Sequence, residues 1–237
     1  LDVTDETIRR DLQTLSERGL VQRVHGGAAS LRGRARLRTF TERRSQRVAQ
    51  KQAIAELALG LLEPGQTLAF DSSTTAFEVI SRLNSRPHRV LTNAHPVAHQ
   101  IIDLPEIELV LFGGIYEAKT QTYIGPEESF HPLSKHRIDW AIISCVGLDP
   151  ERGASEGFEQ QALFKEQLVR HADRLLLLAD SSKIGVCSDY FFCPPSKITR
   201  LVTDDAIEDS QRAALEGAGI TVETPRHQTP HRLAFTT

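Results

Sequence analysis

An α/β fold, with a mostly parallel sheet covered by helices on both faces and a partial winged helix-turn-helix ahead of it, is predicted from three features of this sequence. Short apolar runs alternate with stretches of helical periodicity from residue 53 to the C-terminal end. A helix, a glycine and a strand-like alternation precede them over residues 5–28. Charge is divided between the two parts. Residues 1–51 hold 12 Lys+Arg and 6 Asp+Glu, for +6, and the rest hold 16 and 25, for −9, within a net charge of −3. A basic front on an acidic body points to a polyanion contact at one end only.

Composition narrows the class. At 237 residues the chain accommodates one α/β domain of good size and a small appendage. Its 40% hydrophobic and 25% charged residues are an ordinary soluble profile. No apolar run reaches membrane-span length and no signal peptide opens the chain, so a cytoplasmic location without membrane contact is expected. Cys145, Cys187 and Cys193 have no metal-like spacing, and the nine histidines are scattered, so neither a metal nor a cofactor is expected. The chain has no methionine and begins at Leu1, from which a fragment of a longer protein is expected.

The N-terminal elements come first. Residues 5–18 have helical periodicity, with Ile8, Leu12 and Leu15 on one face and Glu6, Arg10 and Gln13 opposite. Thr7 and Arg9 lie on the flanks, and Gly19 stops the helix. Residues 20–24 alternate like a strand, and His25, Gly26, Gly27 and Ala28 read as a hairpin tip. Such a helix would enter the major groove of DNA, while Arg23 and His25 would reach phosphate or the minor groove. A solvated charged helix is the alternative. Residues 30–40 are basic and Gly-interrupted, and read as a linker. Thr39 and Glu42 make a capping box, and Ile54, Leu57, Ala58, Leu61 and Leu62 form the stripe of the helix that follows. The domains expected are thus residues 1–30, a linker and start of a connecting helix over 31–52, and the α/β body over 53–237.

Within the body, strands are predicted at 68–71, 89–92, 107–112, 139–145, 175–179, 200–203 and 221–223. Helices are predicted at 75–83, 97–102, 127–133, 158–171 and 208–216, and residues 147–157 read as a loop. There is no internal repeat.

In such sheets ligands sit beyond the carboxyl ends of the strands. The first strand delivers Asp71, Ser72, Ser73, Thr74 and Thr75 there. A strand that turns into a helix through hydroxyl residues presents backbone N–H groups and a positive dipole end, a seat for phosphate. Asp71 would suit the hydroxyls of a sugar carrying that phosphate. An ordinary N-cap is the alternative. Other strand ends offer Asn93, Gly113 and Gly114, Gly147 with Glu156 in its loop, and Asp180 with Lys183, while Lys165 lies on a helix. Carboxylates and Asn for hydroxyls, with lysines and hydroxyls for phosphate, suit a phosphorylated sugar. Taken singly, each residue has an ordinary structural use.

Thr7-Ile8-Arg9-Arg10-Asp11-Leu12, Leu15, Gly19 and Arg23-Val24-His25-Gly26-Gly27-Ala28 resemble the signature of the DeoR family of bacterial transcriptional regulators. The resemblance continues through residues 71–75, Thr92-Asn93, Gly113-Gly114, Gly125, Asp139, Gly147, Gly153, Lys165, 179–183 and Thr203-Asp204. It implies that Thr7, Arg9 and Arg10 lie on a recognition helix and that residues 23–27 form a wing. It also implies a sensor domain similar in fold to ribose-phosphate isomerases and CoA transferases that responds to sugar phosphates. The sequence has Gln160-Gln161 where that family often carries an acidic residue, and residues 187–195 have no counterpart in it. The family's preceding helices are absent, so weak operator binding by this chain is expected.

Two functions follow. One is a regulator, usually a repressor, of sugar metabolism whose hold on operator DNA responds to a phosphorylated sugar; paired operator half-sites imply a homo-oligomer. The other is an isomerase-type enzyme in the same pocket, with Asp71, Glu156 or Asp180 as the base. The helix and wing favour the regulator, with no catalytic residues. A nonspecific nucleic-acid binder is a third reading, and it predicts no ligand response.

Overall fold

In the computed structural model, the structure describes residues 7, 8, 10–13, 21–24, 27–30, 38–83, 88–126 and 133–227. They divide into two compact units, Leu1–Arg38 and Thr39–Thr237.

In the first unit, residues 7, 8 and 10–13 are helical, with Thr7, Ile8, Arg10 and Gln13 exposed. Strand β1 (Val21–Val24) pairs antiparallel with β2 (Gly27–Ser30), with Val24 opposite Gly27. The hairpin read from the sequence is present, but Gly27 and Ala28 belong to its second strand and not to the tip. Arg9, His25 and Gly26 lie outside the described residues.

The second unit opens with α1 (Phe40–Arg44), whose capping box joins Thr39 and Glu42 as the sequence indicated. Phe40 is buried edge-on against Phe77, with ring centroids 5.5 Å apart. Helix α2 (Val48–Leu59) follows after Arg47, a non-glycine residue in the left-handed region at φ 49°.

The sheet is built from β3 (Thr67–Phe70), β4 (His88–Thr92), β5 (Ile107–Leu111), β8 (Ile138–Ser144), β11 (Ala172–Leu178), β13 (Arg200–Val202) and β14 (Thr221–Glu223). Its order is β14-β13-β11-β8-β3-β4-β5, with every neighbouring pair parallel. Helices α3 (Thr74–Ile80), α4 (His95–Ile101), α5 (Glu159–His171) and α6 (Asp209–Gly217) connect the strands.

Strand residues point alternately to opposite faces, and each face has its own core. Ala69, Leu91, Ala141, Ile143, Leu175, Leu177 and Leu201 pack with Phe164 and Leu168 of α5 and Leu215 of α6. Leu68, Phe70, Val90, Trp140, Ile142, Leu176, Leu178 and Val202 pack with Ile54, Ala58, Phe77, Ile80, Val97 and Ile101 from α2, α3 and α4. Both faces are therefore covered, which explains why these strands read as continuous apolar runs.

Residues 147–157 are a hairpin and not a loop. Strands β9 (Gly147–Asp149) and β10 (Gly153–Glu156) pair antiparallel, and β12 (Tyr190–Cys193) adds to β10. The 190–193 segment, expected from the sequence to lie in a stretch without a family counterpart, thus supplies the third strand of a small side sheet. A further hairpin, β6 (Ile115–Glu117) with β7 (Thr122–Ile124), occupies a stretch without a clear period. Most of the helix expected at 127–133 falls on residues that are not described. No helix among the described residues is long and apolar enough to cross a membrane.

The cysteines are free thiols in three settings. Burial pushes both Cys145 and Cys193 up to about 12, whereas Cys187 is exposed. Desolvation and the hydrogen bond to Asp149 raise the Cys187 thiol as well. A thiol reagent at pH 8 is therefore expected to modify Cys187 more slowly than a free cysteine and the other two only after denaturation. Fast labelling of two or three thiols in the folded chain would contradict this packing.

Candidate functional site

Strand order reverses between β3 and β8: from β3 the chain moves outward to β4 and β5, then returns to β3's other side. Ligand sites in open α/β sheets form at such a switch point. Here it gathers most of the candidate residues into one network.

Asp71 leaves the end of β3 and is fully buried. One carboxylate oxygen accepts from the Ser73 N–H at 3.1 Å and the Ser73 hydroxyl at 2.6 Å. The other accepts from the Ser144 N–H at 3.1 Å and pairs with Lys165 Nζ at 3.0 Å. Both oxygens are committed to the protein, so Asp71 braces the turn and does not point free oxygens at a sugar. Ser73 caps α3, accepting from the Ala76 N–H at 3.1 Å. Thr74 and Thr75 fill the first turn, where N–H groups have no intrahelical acceptor.

Lys165 also donates to the Ser144 carbonyl at 2.7 Å and to Glu156. Burial alone would lower its ammonium, but Glu156 and Asp71 outweigh that and hold it above the ordinary lysine range. Lys183 donates to the Ser144 hydroxyl at 3.0 Å and lies 3.9 Å from Asp180. Asp180 also accepts from the Ser182 hydroxyl and pairs with Arg47 at 3.4 Å.

On the other side of the 72–75 turn, the Ser72 hydroxyl donates to Gln161 Oε1 at 2.6 Å. Gln161 Nε2 donates to the Thr122 hydroxyl at 3.1 Å. Asn93, at the end of β4, donates through Nδ2 to the Tyr123 carbonyl at 3.1 Å, while its Oδ1 is buried without a partner. Asn93, Tyr123, Ile124, Gly125, Gln160 and Gln161 line an open cleft. Gln161 links this cleft to the turn.

The glycines divide. Gly113 has open space where a side chain would stand. A Cβ on Gly114 would collide with the Ile124 carbonyl, and one on Gly147 with that of Val186. Those two glycines serve close approach of one backbone to another.

Three cations enter the site from the segment expected to be linker and connecting helix. Arg43 Nη2 reaches the Ser72 carbonyl at 3.5 Å, and its Nε is buried without a partner. Lys51 is buried and donates to the Arg43 carbonyl. Burial lowers the Arg43 guanidinium, partly offset by Glu156, Asp71 and Glu117. Burial, with Lys183 and Arg43 nearby, brings Lys51 down to about 8. The signal lay in the sequence, since Arg43, Arg47 and Lys51 recur every four residues, although Arg47 separates α1 from α2. It was hidden by the basic character of the whole N-terminal quarter.

Lys51 sets a pH dependence. Between about pH 8 and 10.5 the unfolded chain retains a proton that folded Lys51 has shed, so stability should rise with pH across that window. With allowance for solvent screening the gain is about 1–2 kcal/mol. Urea titrations at pH 7.5 and 10 should resolve it against a Lys51→Met variant, which lacks this contribution. Equal pH slopes in the two proteins would contradict the assignment.

Among the described residues no group of His, Cys, Asp and Glu could hold a metal ion. On the DNA side, Thr7, Arg10 and Gln13 are exposed on a helix, and Arg23 lies in β1.

Family models match both parts of the chain: the DeoR-like helix-turn-helix domain over residues 1–34 and the DeoR C terminal sensor domain over residues 46–205. The chain is 33% identical over 225 residues to the HTH-type transcriptional regulator GlpR of Haloferax volcanii, covering 94% of this chain and 87% of that one. It is 30% identical over 204 residues to the HTH-type transcriptional repressor GlcR of Bacillus subtilis, covering 86% and 78%. Among solved structures, ribose 5-phosphate isomerase A of Methanocaldococcus jannaschii aligns with TM-score 0.42 and 16% identity, over 56% of this chain and 52% of that one. With a helix-turn-helix at its front and a sensor domain behind it, this chain belongs to the DeoR family of HTH-type transcriptional regulators.

Proposed function

We propose that this regulator represses genes of sugar metabolism and that a phosphorylated sugar, seated at the switch point, alters its hold on operator DNA. The phosphate occupies the 72–75 turn beside Lys183, and the sugar extends into the cleft lined by Asn93, Tyr123 and Gln160. The observation that carries this reading is Asn93 Oδ1, a buried acceptor without a partner on a residue that lines that cleft. A buried acceptor left unsatisfied costs about 1–3 kcal/mol, and a sugar hydroxyl would remove that cost. The repressor GlcR supports the direction of control.

Thr7, Arg10 and Gln13, with Arg9, Arg23, His25 and Gly26, form the DNA-reading surface in this proposal. Paired half-sites are met by a homo-oligomer working in the cytoplasm. The effector acts by binding the DNA-competent and DNA-incompetent arrangements with different affinity.

An isomerase would need a carboxylate free to take a carbon-bound proton. Asp71, Glu156 and Asp180 each have partners within the protein. The family is one of regulators, and the isomerase likeness is a matter of partial fold.

A thermal-shift screen of sugar phosphates against their parent sugars tests the proposal. At a hundred times its Kd an effector adds about 2.7 kcal/mol of apparent stability. Stabilisation by sugar phosphates and not by parent sugars is expected, together with a change in operator affinity. A chain that responds to none of the phosphates, or equally to the bare sugars, contradicts it.

A further inference from the structure

Burying a charge without a counter-charge is costly, and native structures seldom retain such groups unpaired. Arg43 reaches the turn after β3, Lys183 reaches the end of β8, and the buried Lys51 lies close enough to feel both charges. The nearby carboxylates are already engaged, Asp71 and Glu156 with Lys165, and Asp180 with Arg47 and, at 3.9 Å, with Lys183. Lys51 has a carbonyl as its hydrogen-bond acceptor, and no ion pair of Lys51 or Arg43 occurs among the described residues. Arg43 lies over the Phe40 ring and retains a buried N–H without an acceptor, and its hydrogen bond to Ser72 sits at the outer limit of such a bond. Cations crowded in this way, with donors unspent, match a tetrahedral dianion that accepts several charge-assisted bonds at once.

We propose that Arg43 and Lys51 are direct ligands of the effector's phosphoryl group, so that the bound effector clamps α1 and α2 onto the carboxyl end of the sheet. This inference rests on the sugar-phosphate reading given above and adds the route of control. Helix α1 begins at the boundary between the two compact units, since the first ends at Arg38 and the second starts at Thr39. A ligand held by Arg43 and Lys51 therefore grips the stretch through which the DNA-reading unit is attached. Arg47, between the two helices, is the hinge. Its left-handed backbone is strained for a residue with a Cβ, and its side chain is tied to Asp180. Lys51 is repelled by both Lys183 and Arg43. The filled site neutralises all three and fixes the segment.

The test uses the full chain with inorganic phosphate as probe and chloride at equal ionic strength as control. Phosphate is expected to raise the melting temperature of the wild type. In Lys51→Met and Arg43→Gln the apparent Kd for phosphate should weaken at least tenfold, and Lys51→Arg should restore part of the loss. Binding by both variants within twofold of the wild type overturns the inference and leaves the effector reading standing. A wild type silent toward phosphate and toward the whole sugar-phosphate panel brings both down.

A second measurement needs no variant. Trypsin cleavage after Arg43, Arg44 and Arg47 in the native chain should slow at least fivefold when phosphate is present. Unchanged cleavage alongside a clear thermal shift means that phosphate binds without holding the segment, and this overturns the clamp.

Discussion

Replacing Lys165 with alanine is expected to destabilise the folded chain by about 3–5 kcal/mol, because it strips the buried Asp71 and Glu156 of their shared cation. Asp71 would retain three hydrogen bonds, from two N–H groups and the Ser73 hydroxyl, so the loss falls at the middle of that range. Urea unfolding should show a lower midpoint with an unchanged slope, the mark of lost stability without a change in exposed surface. A triple variant, Asp71→Asn and Glu156→Gln with Lys165→Met, removes all three charges and should recover part of the loss, since a buried ionic unit exchanged whole costs far less than one broken. A single-variant loss below 1 kcal/mol would mean that water reaches this network. It would then be a surface cluster, and the crevice argued from it would lose its rigid floor.

The second large effect concerns Gly153. Its φ is +90°, and a Cβ there would run into the carbonyl oxygen of Cys193 on the neighbouring strand. Gly153→Ala must strain the backbone and separate β10 from β12, for an expected loss of about 3 kcal/mol or more. Gly185 is an internal control. It has a similar φ of +79° but nothing within 4 Å of the position a Cβ would take. Gly185→Ala should therefore cost only the conformational part, about 1–2 kcal/mol. Thermal unfolding of the two variants side by side separates space from strain. Equal losses would show that the β10–β12 approach is looser than its geometry implies.

The parallel sheet was legible because each strand is an apolar run on which both neighbouring layers make the same demand. Residues 147–157 were not legible for the opposite reason. β9 and β10 are short, rich in small residues, and bounded by Gly147 and Gly153, so local composition reads as turn. Only the distant 190–193 segment, which pairs with β10, makes a strand of them. The candidate site was legible at the strand ends, where topology fixes what meets what. Asp71 was visible as a residue, but the fate of its two oxygens was not, because their partners are Ser73, Ser144 and Lys165. Arg43 and Lys51 were not legible as site residues because Lys183, which meets them in the fold, lies far along the chain from both.

That last separation has a consequence for damaged chains. The proposed effector crevice is stitched from pieces spread between Arg43 and Lys183, while the helix-turn-helix match is finished by residue 34. A product of premature termination, or of a protease cut inside the body, carries the reader without its gauge. On the function proposed above, such a stub retains the helix-turn-helix and loses the effector response, so disposal of broken copies matters more for this architecture than for one that senses and reads with the same residues.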